Sequence, residues 1–215
     1  MYGRGDCMYI ENVFISPSAA NCYILCDETT GEGAVVDPGD YTAHLLKAIE
    51  KSPVKNLKYI LCTHGHFDHI SGVGRLKEQY PDALVAIGAG DAAALSDSIL
   101  GLFDIFGVPF YPSSADLRLR GGDTLTLGGI EFRVLETPGH TAGGVCYYCE
   151  SEKILISGDT LFCGSVGRTD FPGGSMEILK NSLEKLKALP DETAVYPGHN
   201  GETDIGSEKR YNPYL

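Results

Sequence analysis

Between residues 63 and 69 the chain reads Thr-His-Gly-His-Phe-Asp-His, so four strong metal-ligating side chains crowd into one short stretch. A solvated polar loop is the bland account of such a run. The alternative is a metal, because charged groups of this density cannot be buried unpaired without a large penalty. Three later segments repeat the chemistry: Pro138-Gly139-His140, Gly158-Asp159 and Pro197-Gly198-His199. In each the ligand directly follows a glycine and lies beside an apolar, strand-like run. Imidazole and carboxylate suit zinc first, and also iron or manganese. Together His64, His66, Asp68, His69, His140, Asp159 and His199 are enough to hold two adjacent divalent metal ions. Two close metals can share a hydroxide, which is a hydrolytic nucleophile at neutral pH. The remaining histidine, His44, sits in a helix-like segment with no ligand near it and is read as an ordinary surface or core residue.

The rest of the chain must carry these groups on a scaffold. Extended apolar runs recur at 21–27, 33–37, 59–63, 84–87, 117–119, 130–137, 144–149, 153–157 and 193–196, with turn residues such as Pro38-Gly39 and Gly128-Gly129 between them. Helical periodicity is clear over 40–51 and over 175–189, where Ile178, Leu179, Leu183, Leu186 and Leu189 form one stripe behind a Ser175 N-cap. Weaker helices are expected over 70–79 and 89–102. Strands and helices in alternation predict mixed α/β layers around a sheet core, read as one domain over 1–215. The ligands all fall at ends of strand-like runs, and loops on a rigid scaffold are the usual home of catalytic groups.

Composition narrows the partners. Seventeen basic against twenty-nine acidic residues give a net charge of -12, which disfavours a nucleic-acid surface. No apolar run reaches the roughly 20 residues of a membrane helix, and the first seven residues lack the pattern of a secretory signal. With seven cysteines and no export signal the expectation is a cytoplasmic protein with reduced thiols. Cys146 and Cys149 match C-x-x-C, but on a strand their side chains point to opposite faces, which argues against a redox or zinc pair. No obligate protein partner is expected; the partner is a small molecule.

Taken with Gly158–Phe162, the loop Gly167-Arg168-Thr169-Asp170-Phe171-Pro172-Gly173-Gly174 and the closing Asn212-Pro213-Tyr214-Leu215, these motifs resemble the metallo-β-lactamase-fold hydrolases, and among them the compact bacterial glyoxalase II (hydroxyacylglutathione hydrolase) group. The resemblance implies a four-layer αββα sandwich with the metals at one edge of two sheets. It implies that His64, His66 and His140 hold one metal, that Asp68, His69 and His199 hold the other, and that Asp159 bridges them. It implies thioester hydrolysis by a metal-bridging hydroxide, with Asp68 also orienting that hydroxide, and a substrate contact from Arg168. An Arg168–Asp170 pair that braces the loop is the competing reading of that arginine.

Single residues separate the branches of this fold. Di-iron oxygen-reducing relatives carry Glu where this chain has His66, and β-lactamases of the fold lack the bridging Asp that is Asp159 here. Lactonases share all seven ligands. Persulfide dioxygenases share the Gly167–Phe171 segment and use one iron on the equivalents of His64, His140 and Asp159. Two departures bear on glutathione: the helical C-terminal domain of long glyoxalase II enzymes is not expected here, and their aromatic after the last ligand is replaced by Asn200-Gly201.

Overall fold

The computed structural model describes residues 8–17 and 19–215, so the expectation for the first seven residues lies outside the described part. In chain order the elements are β1 (Met8–Val13), β2 (Cys22–Asp27), β3 (Glu32–Val36), α1 (Ala43–Lys51), β4 (Asn56–Cys62), α2 (Phe67–Ile70), α3 (Val73–Gln79), β5 (Leu84–Gly88), a 3₁₀ turn (Ala92–Leu95), α4 (Phe103–Phe106), β6 (Leu117–Leu119), β7 (Thr124–Leu127), β8 (Ile130–Glu136), β9 (Val145–Cys149), β10 (Ile154–Gly158), β11 (Leu161–Phe162), β12 (Ser165–Val166), α5 (Met176–Lys187), β13 (Ala194–Pro197), β14 (Thr203–Asp204) and α6 (Ile205–Tyr211). One sheet runs β1-β2-β3-β4-β5-β6 and the other β14-β13-β10-β9-β8-β7, with β11 and β12 as a separate small ribbon. In the first sheet β3 through β6 are parallel, whereas the second is antiparallel apart from the β10–β13 pair.

Strand alternation builds the layers. Tyr23, Leu25, Tyr59 and Leu61 point into a core shared with Phe132, Val134, Tyr147 and Ile156 of the second sheet. Their neighbours Cys22, Ile24, Ile60 and Cys62 point the other way, onto Leu45 and Ile49 of α1 and Val73 and Leu76 of α3. On the far side, Cys146, Tyr148, Leu155 and Val195 meet Leu179, Leu183 and Leu186 of α5 and Ile205 of α6. Three cores between four layers make the αββα sandwich. The central strands β2, β9 and β10 are buried throughout, which is why they read as unbroken apolar runs. Strand β7 and the first part of β8 bury only alternate residues and face solvent on one side. Cys146 and Cys149 do lie in different cores, as a strand requires.

Several expectations are corrected. Ile178 is 46% exposed rather than part of the α5 stripe; Ser182, buried at 1%, takes the inner position and donates its hydroxyl to Pro138 O at 2.7 Å. Over 70–79 the helix breaks at Gly72, whose N–H leaves the helix to reach Pro38 O at 2.7 Å. Over 89–102 only the single turn Ala92–Leu95 forms. There Asp97 Oδ1 captures the Ile99 N–H at 2.9 Å, a local bond that competes with continuing the helix. The helix α6, capped by Asp204 Oδ1 on Ser207 N at 2.7 Å, and the strands β1 and β7 were not anticipated. Of the two ordinary places expected for His44, surface or core, it takes the surface: it is exposed on α1.

Candidate metal centre

Four loops at one edge of the sandwich deliver the seven residues. His64 and His66 follow β4, His66 on extended backbone, and Asp68 and His69 lie in the single-turn α2 that His66 starts. His140 comes from the β8–β9 connection, Asp159 from the end of β10, and His199 from the end of β13. Two of the preceding glycines are steric requirements. Gly158 has φ +49, and a Cβ there would meet Thr63 Oγ1 at 2.4 Å. A Cβ on Gly198 would meet Asp159 Oδ1 at 2.3 Å and His69 Cε1 at 2.7 Å, inside the site itself.

The side chains fall into two contiguous groups. In the first, His64 Nε2, His66 Nδ1 and His140 Nε2 form a triangle with edges of 3.1, 3.2 and 2.9 Å. Ligands 2.0–2.1 Å from a tetrahedral zinc ion stand about 3.3–3.4 Å apart, so the triangle is close to the size a cation would impose. All three rings are buried, with His66 the most exposed at 6%. His140 Nδ1 lies 2.7 Å from Arg168 O, which assigns its proton to Nδ1 and turns the Nε2 lone pair inward. In the second group, His199 Nε2 is 3.2 Å and His69 Nε2 3.8 Å from Asp68 Oδ2. His69 Nδ1 donates to Asp37 Oδ2 at 2.9 Å, so its Nε2 also faces inward.

Asp159 stands between the groups. Its Oδ1 is 3.3 Å from His69 Nε2, while Oδ2 is 3.5 Å from His140 Nε2 and 3.6 Å from His199 Nε2. Among the described residues neither His69 Nε2 nor Asp159 Oδ1 has a hydrogen-bond partner, although both atoms are buried. A buried polar atom left unpaired costs about 1–3 kcal/mol, and two such atoms side by side fit a shared cation. The donor set, its spacing and these orphaned atoms all suit metal ions.

Electrostatics differ between the groups. Burial pushes His64 well below the usual imidazole range and His66 down to about 4, with the other histidines adding to both. Burial would lower His69 too, but the charges of Asp159, Asp37 and Asp68 outweigh it and raise it well above normal. The hydrogen bond to Asp68 raises His199. Burial opposes ionisation of Asp68, yet His69 and His199 bring its carboxyl down to about 2.

Two carboxylates that pattern reading missed hold the loops. Asp37, buried and with φ +50, accepts Thr63 N and Thr63 Oγ1 at 2.7 Å each in addition to His69. Asp91 accepts Gly65 N at 3.0 Å on one oxygen and Gly143 N at 2.7 Å on the other, pinning the His64–His66 loop to the His140 loop. Neither belongs to a ligand-like run; the only signals are a strand end before Pro38-Gly39 and the glycine-rich Gly88-Ala89-Gly90. From the first sheet, Asn21 donates to Pro197 O and Asn200 O at 2.9 Å each and so secures the His199 loop.

Arg168 reaches the same cavity but spends its fork on Asp170, at 2.7 Å from Nε and 2.6 Å from Nη2, and lies over the Phe171 ring at 3.9 Å. The cavity, about 470 Å³, is lined by His66, Asp68, His140, Asp159 and His199 on its floor. Its walls are Phe67, Leu102, Phe106, Phe162, Val166 and Phe171, with Ser165 and Asn200 between them.

Residues 15–199 match the metallo-beta-lactamase superfamily, and the chain belongs to it. It is a metal-binding hydrolase of that class, and among its described residues no helix is long and apolar enough to cross a membrane. Among curated relatives, hydroxyacylglutathione hydrolase GloC of Haemophilus influenzae is 35% identical over 97% of this chain and 98% of its own length. Among solved structures, the B3 metallo-beta-lactamase BLEG-1 is 34% identical with a TM-score of 0.89, covering 96% of this chain and 99% of its own. TTHA1623 in a di-iron-bound form is 36% identical with a TM-score of 0.84, covering 95% of this chain and 100% of its own.

Proposed function

We propose that the protein is a two-metal thioesterase of the glyoxalase II type, cleaving S-acylglutathione or a related thioester. The observation that carries the reading is Asp159, which lies between the two ligand groups, with Oδ1 toward His69 and Oδ2 toward both His140 and His199. His64, His66 and His140 would hold one divalent ion and Asp68, His69 and His199 the other, zinc being the ion this donor set suits best. Such a pair, when bound, supplies Lewis acidity that activates water and polarises a carbonyl at neutral pH.

The chain's own groups do the rest. Asp68, which lines the cavity with its Oδ2 between His69 and His199, would orient a water against the acyl carbon. Asp37 and Arg168 O fix the tautomers of His69 and His140. Among the described residues lining the cavity, no Lys, Tyr or Glu stands ready as a leaving-group acid. A thiolate, whose conjugate acid has a pKa near ~8.5, leaves without one, whereas an amide nitrogen would not. The 35% identity to a hydroxyacylglutathione hydrolase supports the same reaction.

A second reading comes from the 34% identity to a B3 metallo-beta-lactamase. Asp159 argues against it, and β-lactam turnover is therefore an arm of the test. Protein loaded with zinc or iron is analysed for metal, then assayed on a thioester panel, on a chromogenic cephalosporin and by oxygen uptake with glutathione persulfide. Two metals per chain with thioester turnover is the expected result. One iron with oxygen uptake, or turnover of the cephalosporin alone, overturns it.

A further inference from the structure

The geometry points to a cavity built for a thioester bearing an uncharged, apolar substituent such as a phenyl or alkyl group, in preference to the zwitterionic glutathione moiety with its two carboxylates. This rests on the thioesterase reading and narrows it.

Hydrocarbon closes the cavity from three separate segments of the chain. Phe67 of α2 stacks on Phe106 of α4, with centroids 4.5 Å apart and planes at 29°. Phe106 meets Phe171 edge-on at 6.1 Å, and Phe171 in turn stands edge-on to the ligand His66 at 5.8 Å. On the other side Phe162 packs edge-on against His199 at 5.8 Å, beside Val166. Phe106 is 47% exposed. Its neighbour Phe103, 2% exposed and packed on Phe110 at 4.8 Å, anchors the turn, so Phe106 is held at the cavity rather than drawn into the core. A half-exposed phenylalanine beside two others offers a face to an apolar ligand.

Charge tells the same story. Apart from the ligand imidazoles, the one cationic side chain among the described residues lining the cavity is Arg168. Asp170 occupies two of its donors in a bidentate pair, so the rim there is neutral overall. Arg75 stacks over Tyr41 at 4.3 Å and lines a different cleft. A glutathione carboxylate binding at Arg168 would have to displace Asp170 from the guanidinium.

The test compares kcat/KM of the metal-loaded enzyme on S-phenylacetyl- and S-acetyl-N-acetylcysteamine, on S-acetyl benzyl mercaptan and on S-lactoylglutathione. Burying a phenyl group should favour one of the two phenyl-bearing substrates over S-acetyl-N-acetylcysteamine by about tenfold or more, the preferred one placing the apolar group on the acyl or the thiol side. The same substrate should exceed S-lactoylglutathione. Phe106→Ala, at a half-exposed position, should cut that preference about tenfold with metal content and Tm unchanged. Equal rates across the panel, or a preference for S-lactoylglutathione, overturn the inference while leaving thioesterase chemistry intact. A binding arm separates the two failures: phenylacetate, acetate and glutathione are titrated by calorimetry into the wild type and Phe106→Ala. If no thioester is cut but phenylacetate binds tightest and Phe106→Ala weakens it, the thioesterase reading falls and the cavity assignment stands. If no thioester is cut and phenylacetate binds no better than acetate, both fall.

Discussion

The two ligand groups share Asp159 but are built on different electrostatic plans. His64, His66 and His140 make a dry triangle of imidazoles, none more than 6% exposed, kept in place by the Arg168 carbonyl and, through the loop, the Asp91 carboxylate. The other group mixes imidazole with carboxylate: His199 is 38% exposed at its side chain, Asp68 18%, and Asp37 stands behind His69. Burial keeps His64 and His66 neutral, whereas neighbouring carboxylates raise His69 and His199. The first group is thus pre-set for a cation. The second balances its charges internally until a cation takes over from the protons. The difference implies a deep, slowly exchanging site and a shallower one open to solvent and substrate.

The strongest way to break this contrast is to remove what the groups share. Asp159→Ala should lower metal occupancy in both and cut kcat/KM by more than about a hundredfold, beyond the usual loss from an outer partner. His44→Ala, on the exposed face of α1, should change neither. Elemental analysis alongside kinetics decides it, and an Asp159→Ala protein that keeps both metals and its rate would refute the bridging assignment.

Proton release probes the plan itself. A metal entering the second group competes with protons for His69 and His199, whose raised pKa values hold their protons to higher pH than an ordinary imidazole does. Its affinity should therefore rise with pH through and above the ordinary imidazole range. For the first group His64 and His66 are already neutral there, so its dependence should be shallower. Calorimetry in buffers of different ionisation enthalpy counts the protons, and chelator titration should strip the second metal first. Equal proton counts for both ions, or loss of both in one step, would erase the distinction.

The supporting carboxylates allow a finer cut. Asp37→Asn removes a charge that His69 leans on and should weaken the second metal by about 10–100-fold. Asp91→Asn leaves only one acceptor for the two loop N–H groups it now serves, and should loosen the first group instead, by about tenfold. Isotope-exchange rates for each metal would show whether the two effects fall on opposite sites.

That asymmetry was only half visible in the linear chain. Ligand type and spacing announce themselves because imidazoles and carboxylates after glycines have few other uses, and the sandwich follows from strands buried on both faces. Asp37 and Asp91 escaped notice since an isolated aspartate at a strand end is ordinary; only folding brings Asp91 to both Gly65 and Gly143. The aromatic wall escaped for a related reason. Phe67, Phe106, Phe162 and Phe171 are scattered through the chain, and Phe106 belongs to a short turn that local propensity does not define. Likewise periodicity puts Ile178 in the stripe on α5, because it cannot say that a serine at 182 bonds inward to Pro138.

Arg168 should produce the smallest effect and the most discriminating one. Its main-chain carbonyl supports the first group through His140, while its side chain pairs with Asp170 in the open, both being more than half exposed. The pair is open to solvent and screened, so Arg168→Ala should leave stability nearly unchanged. The carbonyl survives the substitution, so metal content should hold. If the guanidinium serves chiefly to hold Asp170 and cover Phe171, kcat/KM on an apolar thioester should fall by less than about tenfold, and the drop should be no larger on S-lactoylglutathione. A loss of tenfold or more confined to S-lactoylglutathione would show that substrate carboxylates displace Asp170, and would return Arg168 to the role the resemblance gives it.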